Sequence, residues 1–181
     1  VPFLRGNLML ELLQRLKKVD EFVLADLKKE IDGKSRPHNG TSSRAKDLKS
    51  FYQKTTKRGY IYFKSTAATT PGRDFWNQKI RLVDWDVVLG LPDKSLSSRD
   101  RAHMAIFGDL AVHCDCPAFL YWGYAFITTQ LDMNAGKAKE KRPPNIRNPK
   151  REGIGCKHIA SVLGVLPFHI SEVARVIKKI T

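Results

Sequence analysis

Apolar residues change their spacing several times along this chain, and each change predicts an element. Leu8, Leu12, Leu16, Val19, Val23 and Leu27 recur every three or four positions, which predicts one long amphipathic helix over residues 7–31. Asn7 suits its N-cap and Gly33 its stop. Glu11, Lys17, Lys18, Asp20, Glu21 and Lys28 fill the other face. Six apolar positions in a row suit either packing on the parent domain or docking into a partner's groove. Residues 34–43 are polar and hold Pro37, Asn39 and Gly40, so they read as a linker. A short helix is expected over 44–52.

Beyond residue 52 the period shortens. Tyr60-Ile61-Tyr62-Phe63 reads as a strand, and residues 66–72 as a turn-rich connection. Residues 75–88 contain Lys79-Ile80-Arg81-Leu82-Val83-Asp84-Trp85, whose alternation predicts a second strand. Residues 89–99 read as a loop, and 103–116 as the strand that leads into the cysteines. Phe119, Leu120, Tyr121, Trp122, Tyr124, Phe126 and Ile127 form an aromatic-rich run. It suits a buried helix start or packing shelf, with base stacking as the alternative use. Strands with flanking helices in this order predict an α+β fold: a small antiparallel sheet with flanking helices behind the long N-terminal helix. The expected organisation is a helical arm and linker over 1–40 and one domain over 41–181. No internal repeat is visible.

Charge changes this picture most between residues 136 and 151. Lys137, Lys139, Lys141, Arg142, Arg147, Lys150 and Arg151 crowd there, stiffened by Pro143, Pro144 and Pro149 and almost devoid of apolar residues. Such a stretch cannot build a core and reads as an exposed basic loop. The whole chain carries a net charge of +14, with an isoelectric point near 9.9. That field attracts polyanions, either nucleic acid or an acidic protein surface. The apolar run 119–127 is too short to cross a bilayer, and no charged-then-apolar signal segment opens the chain. Neither a membrane nor a small-molecule substrate is expected as a partner. The first residue, Val1, points to a trimmed or processed start.

The cysteines supply the sharpest chemistry. The 181-residue chain has three, and all fall into pairs: Cys114-x-Cys116 and Cys156-x-His158. Three thiolates and an imidazole complete one tetrahedral Zn²⁺ and leave no open position. In a strand, Cys114 and Cys116 would face the same side, and Pro117 would end the ladder. Mid-helix, residues 156 and 158 would point about 200° apart. Gly153 and Gly155 therefore place Cys156 in a turn and His158 in the first turn of a helix, with Ile159, Val162, Leu163 and Leu166 packing behind. A disulfide plus one spare thiol is the competing arrangement, but a Cys114–Cys116 bridge would close a strained loop. At this length the chain can build a core without metal, so zinc, one per chain, reads as a local staple. Reduced thiols fit an intracellular, reducing compartment.

The run Cys114-Asp115-Cys116-Pro117…Cys156-Lys157-His158 resembles the SWIM-type zinc finger, whose pattern is Cys-x-Cys, a variable spacer and Cys-x-His. The resemblance implies a zinc-stapled ββα unit over about residues 103–166, and a binding role towards DNA or protein. The spacer of 39 residues is longer than the usual SWIM gap. Residues 114–124 and 142–149, with Leu166-Pro167-Phe168, also resemble SWIM-like proteins of tailed bacteriophages, which implies a virion or assembly component.

A zinc ion saturated by protein ligands activates no water. Asp84 and Asp86 would share a strand face and could hold Mg²⁺ for a nuclease, but no nucleophile setting or phosphate-cradling glycine loop accompanies them. The expected function is a non-enzymatic, zinc-stabilised structural or adaptor protein of a larger assembly, touching DNA or acidic proteins. The alternative is a SWIM-type nucleic-acid-binding module acting through residues 137–151.

Overall fold

The computed structural model describes residues 45–67, 71–137 and 139–181. The helix expected over 7–31, with Leu8, Leu12, Leu16, Val19, Val23 and Leu27, lies outside them, as does the expected linker.

Four strands form one antiparallel meander in the order β1 (Ser50–Thr55), β2 (Tyr60–Thr66), β3 (Phe75–Leu82) and β4 (Leu110–Cys114). Alternation on β2 and β3 explains their pairing. Ile61, Phe63, Trp76, Gln78, Ile80 and Leu82 turn to one face and are buried there, while Tyr60, Tyr62, Lys64, Asn77, Lys79 and Arg81 stay at least partly open to solvent. The β1–β2 turn closes on Gly59, at φ +71°. A Cβ there would lie 2.5 Å from the Trp85 ring, whose Nε1 donates to the Lys57 carbonyl at 3.0 Å.

The buried face is covered by α2 (Ser98–Phe107), α5 (Lys157–Val165), a 3₁₀ turn (Leu166–His169) and α6 (Ile170–Ile177), with the short α1 (Trp85–Gly90) at one end. Helix α5 touches all four strands, and α6 lies along α2. The run Lys157–Ile177 is 21 residues long and apolar enough, by length and composition, to cross a bilayer. Ile159, Val162, Leu163, Leu166, Val173 and Ile177 are instead fully buried in the domain core. The α+β class is as expected, with these corrections in its elements.

Residues 50–55 form a strand where a helix was expected over 44–52, because Ser50, Tyr52 and Thr55 pair with β2. Strand β3 ends at Leu82, and Trp85 opens α1. The strand expected from residue 103 is helix α2 as far as Phe107, opened by a capping box between Ser97 and Asp100. Arg101, Ala102, Met104, Ala105 and Ile106 are all buried, so this helix lacks the polar stripe that reveals a surface helix.

Candidate metal centre

Three elements deliver the four cysteine and histidine side chains to one point. Cys114 ends β4, where its partner across the ladder is Gln78. Cys116 has left the strand. It is the N-cap of α3 (Pro117–Tyr121), and its Sγ accepts the Phe119 N–H at 3.3 Å. Pro117 therefore begins a helix, where its missing N–H costs nothing, and does not end the strand as expected. Cys156 is the extended N-cap of α5, and His158 is the second residue of that helix, as the two glycines implied. Gly153, at φ +75°, makes the preceding turn.

One ligand atom from each of Cys114, Cys116, Cys156 and His158 lies within 4.8 Å of all the others, and all four residues are buried. His158 Nδ1 stands 4.0 Å from Cys114 Sγ and 3.8 Å from Cys156 Sγ. Tetrahedral zinc with its usual sulfur and nitrogen bond lengths separates neighbouring ligand atoms by ~3.5–3.8 Å. The donor set and its spacing thus fit one metal ion, with Nδ1 as the imidazole ligand. His158 Nε2 is buried without a hydrogen-bond partner among the described residues, near the Trp76 ring. The cysteines are free thiols and not a disulfide.

Electrostatics agree with a site waiting to lose protons. Burial pushes the Cys114 and Cys156 thiols well above their ordinary value. Cys116 is held far below it, first by hydrogen bonds from Cys114 and Cys156 and then by the nearby His158.

Two residues that sequence reasoning missed set this geometry. The Asp115 carboxylate accepts from the Asn77 backbone N–H (2.8 Å), from Asn77 Nδ2 (2.8 Å) and from Arg73 Nη2 (3.1 Å), pinning the Cys-x-Cys segment to β3. Gln78, fully buried, donates to Cys114 Sγ at 3.6 Å. It was visible as the single polar residue among the inward positions Trp76, Gln78, Ile80 and Leu82.

The segment between the ligand pairs folds onto the sheet. Helices α3 and α4 (Tyr124–Gln130) pack on β4, burying Phe119, Tyr124 and Ile127. These three residues of the aromatic run serve core packing, while Tyr121 stays exposed. Met133 and Ala135 bond to Val112 and extend the sheet. The basic loop is anchored by Pro144, packed against Gly123, and by buried Asn148, which bonds to both the N–H and the carbonyl of Glu152. Lys137, Lys139, Lys141, Arg142, Arg147, Lys150 and Arg151 are all exposed. Arg142 grips Glu140 through Nε (2.9 Å) and Nη2 (2.6 Å).

Asp84 and Asp86 do not share a strand face. Asp84 stands at the N-cap position of α1 without a capping side-chain bond and accepts the Asp109 N–H at 3.2 Å, while Asp86 sits in the first turn of α1. The paired geometry expected of a nuclease is not formed by these two residues.

Compared with known proteins, the chain has no significant match to any family model, curated protein or solved structure.

Proposed function

We propose that the chain is a non-enzymatic, zinc-stapled structural or adaptor component of a larger assembly, and that its basic loop contacts a polyanion. The observation that carries this reading is the buried Cys114, Cys116, Cys156 and His158 set, which leaves no ligand position for substrate or water. Such a site fixes α3 and α5 against the sheet and so holds both ends of the loop between them. In this reading the centre is of SWIM type, and a place in a virion is one setting that the phage resemblance suggests.

A second reading, a nucleic-acid-binding SWIM module, is favoured by the exposure of all seven cations of the loop. Neutralising Arg142, Arg147, Lys150 and Arg151 together should leave the fold intact and weaken polyanion binding. It should also flatten the dependence of affinity on salt, because fewer counterions are released. Binding to duplex DNA and to an acidic polypeptide, each titrated across salt concentrations, separates the two readings. Unchanged affinity for both in the neutralised protein would remove the loop from the proposal.

A further inference from the structure

The face of the sheet turned away from the core has a composition of its own. Register places Lys54 beside Tyr62, Tyr62 beside Lys79, Tyr60 beside Arg81, and Phe51 beside Lys64. A bulge at Gln53 sets Lys54 into this row. Lys79 Nζ lies 4.1 Å from the Tyr60 ring centroid and 6.0 Å from that of Tyr62, while Lys54 Nζ lies 5.3 Å from Tyr62. Phe51 and Phe75, both exposed, meet edge to face at 6.0 Å.

β1, β2 and β3 contain no Asp or Glu at all. Of the carboxylates at the strand ends, Asp74 and Asp84 flank β3, and Asp115 is held by Arg73 and Asn77. Exposed sheet faces gain stability from opposite-charge neighbours across strands. This one instead repeats a single sign between aromatic rings, so its charge is unbalanced within the sheet and complements a polyanion. Flat rings interleaved with cations offer something that phosphate alone does not use, a stacking surface for unpaired bases.

We propose that this face is a platform for single-stranded nucleic acid, with Tyr60 and Tyr62 taking base faces and Lys54, Lys64, Lys79 and Arg81 meeting phosphates. It is a site separate from the basic loop and does not depend on the loop's role.

The test uses the full, zinc-loaded chain and fluorescence anisotropy with two labelled strands. One is a thymidine oligonucleotide of about twelve bases and the other an abasic strand of the same length. The base-bearing strand should bind at least about tenfold tighter. The double variant Tyr60→Leu/Tyr62→Leu keeps apolar bulk but loses both rings. It should erase that margin while leaving abasic binding and its salt slope unchanged. Equal affinity of the native protein for the two strands would overturn the platform, yet salt-sensitive abasic binding that is lost on neutralising the loop would leave the loop reading standing. Poly-glutamate displacing the thymidine strand as well as unlabelled strand does would also overturn it. Should the variant fold poorly, photocrosslinking of native protein to an iodouracil-bearing strand decides. Adducts on β2 peptides support the platform, and adducts confined to residues 137–151 refute it.

Discussion

Gln78 donates its Nε2–H to the Sγ of Cys114, 36 residues further along the chain, at 3.6 Å. The same amide nitrogen donates to the Trp76 carbonyl at 2.8 Å, and Gln78 Oε1 accepts from Ser65 Oγ at 2.8 Å. Ser65 meets Ser50, and Ser50 meets Ser161 of α5, each at 2.8 Å. A buried polar chain thus ties one thiol of the centre to three strands and to the helix that carries His158. Hydrogen bonds of this kind orient a metal ligand and favour its charged form.

Gln78→Leu should therefore lower zinc affinity roughly tenfold or more while leaving the fold in place. Competition against a chromophoric chelator measures the affinity, and far-ultraviolet circular dichroism checks the fold. An unchanged affinity would show that Gln78 serves packing alone.

Zinc uptake should expel protons. Zinc binds thiolates, and burial favours the protonated form of Cys114 and Cys156, so loading at neutral pH should release protons. Affinity then falls as pH falls, since protons compete for the same sulfurs. Calorimetry in two buffers of different ionisation enthalpy counts the protons, and a count near zero would contradict this assignment. Removing one ligand, as in Cys156→Ser, should unfold the C-terminal half, because metal binding energy is partly folding energy. Retention of full helicity and melting temperature would sink the idea of a staple.

The ligand pairs were legible because the order Cys-x-Cys and Cys-x-His is local, and the glycines before Cys156 fix its turn without tertiary information. β2 and β3 were legible because their alternation is strict. Helix α2 was not, because burial of Arg101 to Ile106 erases the polar stripe that periodicity needs. β1 was misread because its polar and aromatic residues become a strand only when β2 supplies partners. The Gln78–Cys114 bond and the aromatic–cation rows of the outer face depend on register between strands, which no single segment encodes.

Within the basic loop, Arg142 is already engaged. Its side-chain and backbone hydrogen bonds hold the Glu140 carboxyl at about 2, against an ordinary 4.5. A depressed carboxyl contributes to stability fully above its unfolded value of 4.5 and loses that contribution progressively as pH falls from there to about 2. In a carbon-13 titration, Glu140 should keep its ionised shift through the ordinary carboxylate range, and Arg142→Ala should return its midpoint towards 4.5. Because Glu140 offsets Arg142, Arg147→Ala should weaken polyanion binding more than Arg142→Ala does. The reverse order would mean that the Glu140 pair opens on binding.

Among the described residues Arg101 is the buried cation of the core, and its guanidinium closes the end of α1. Nη1 donates to the Val88 carbonyl and, at 3.4 Å, to that of Leu89, while Nη2 reaches the carbonyls of Leu91 (2.9 Å) and Asp93 (3.0 Å). Those carbonyls belong to the last turn of α1 and the loop after it, where a helix leaves its acceptors unmet. A lysine ammonium is a point donor and cannot span four acceptors as a planar fork does. Both Arg101→Lys and Arg101→Ala should therefore destabilise, the alanine variant by roughly 2–4 kcal/mol as charge-assisted bonds vanish and carbonyls stay buried. For a chain of this size that lowers the melting temperature by roughly 5–15 °C. The zinc content of the folded protein should be unchanged, since Arg101 contacts α1 and its loop and not the ligands. A lysine variant as stable as the native protein would show that one charge, without the fork, is enough to hold α1.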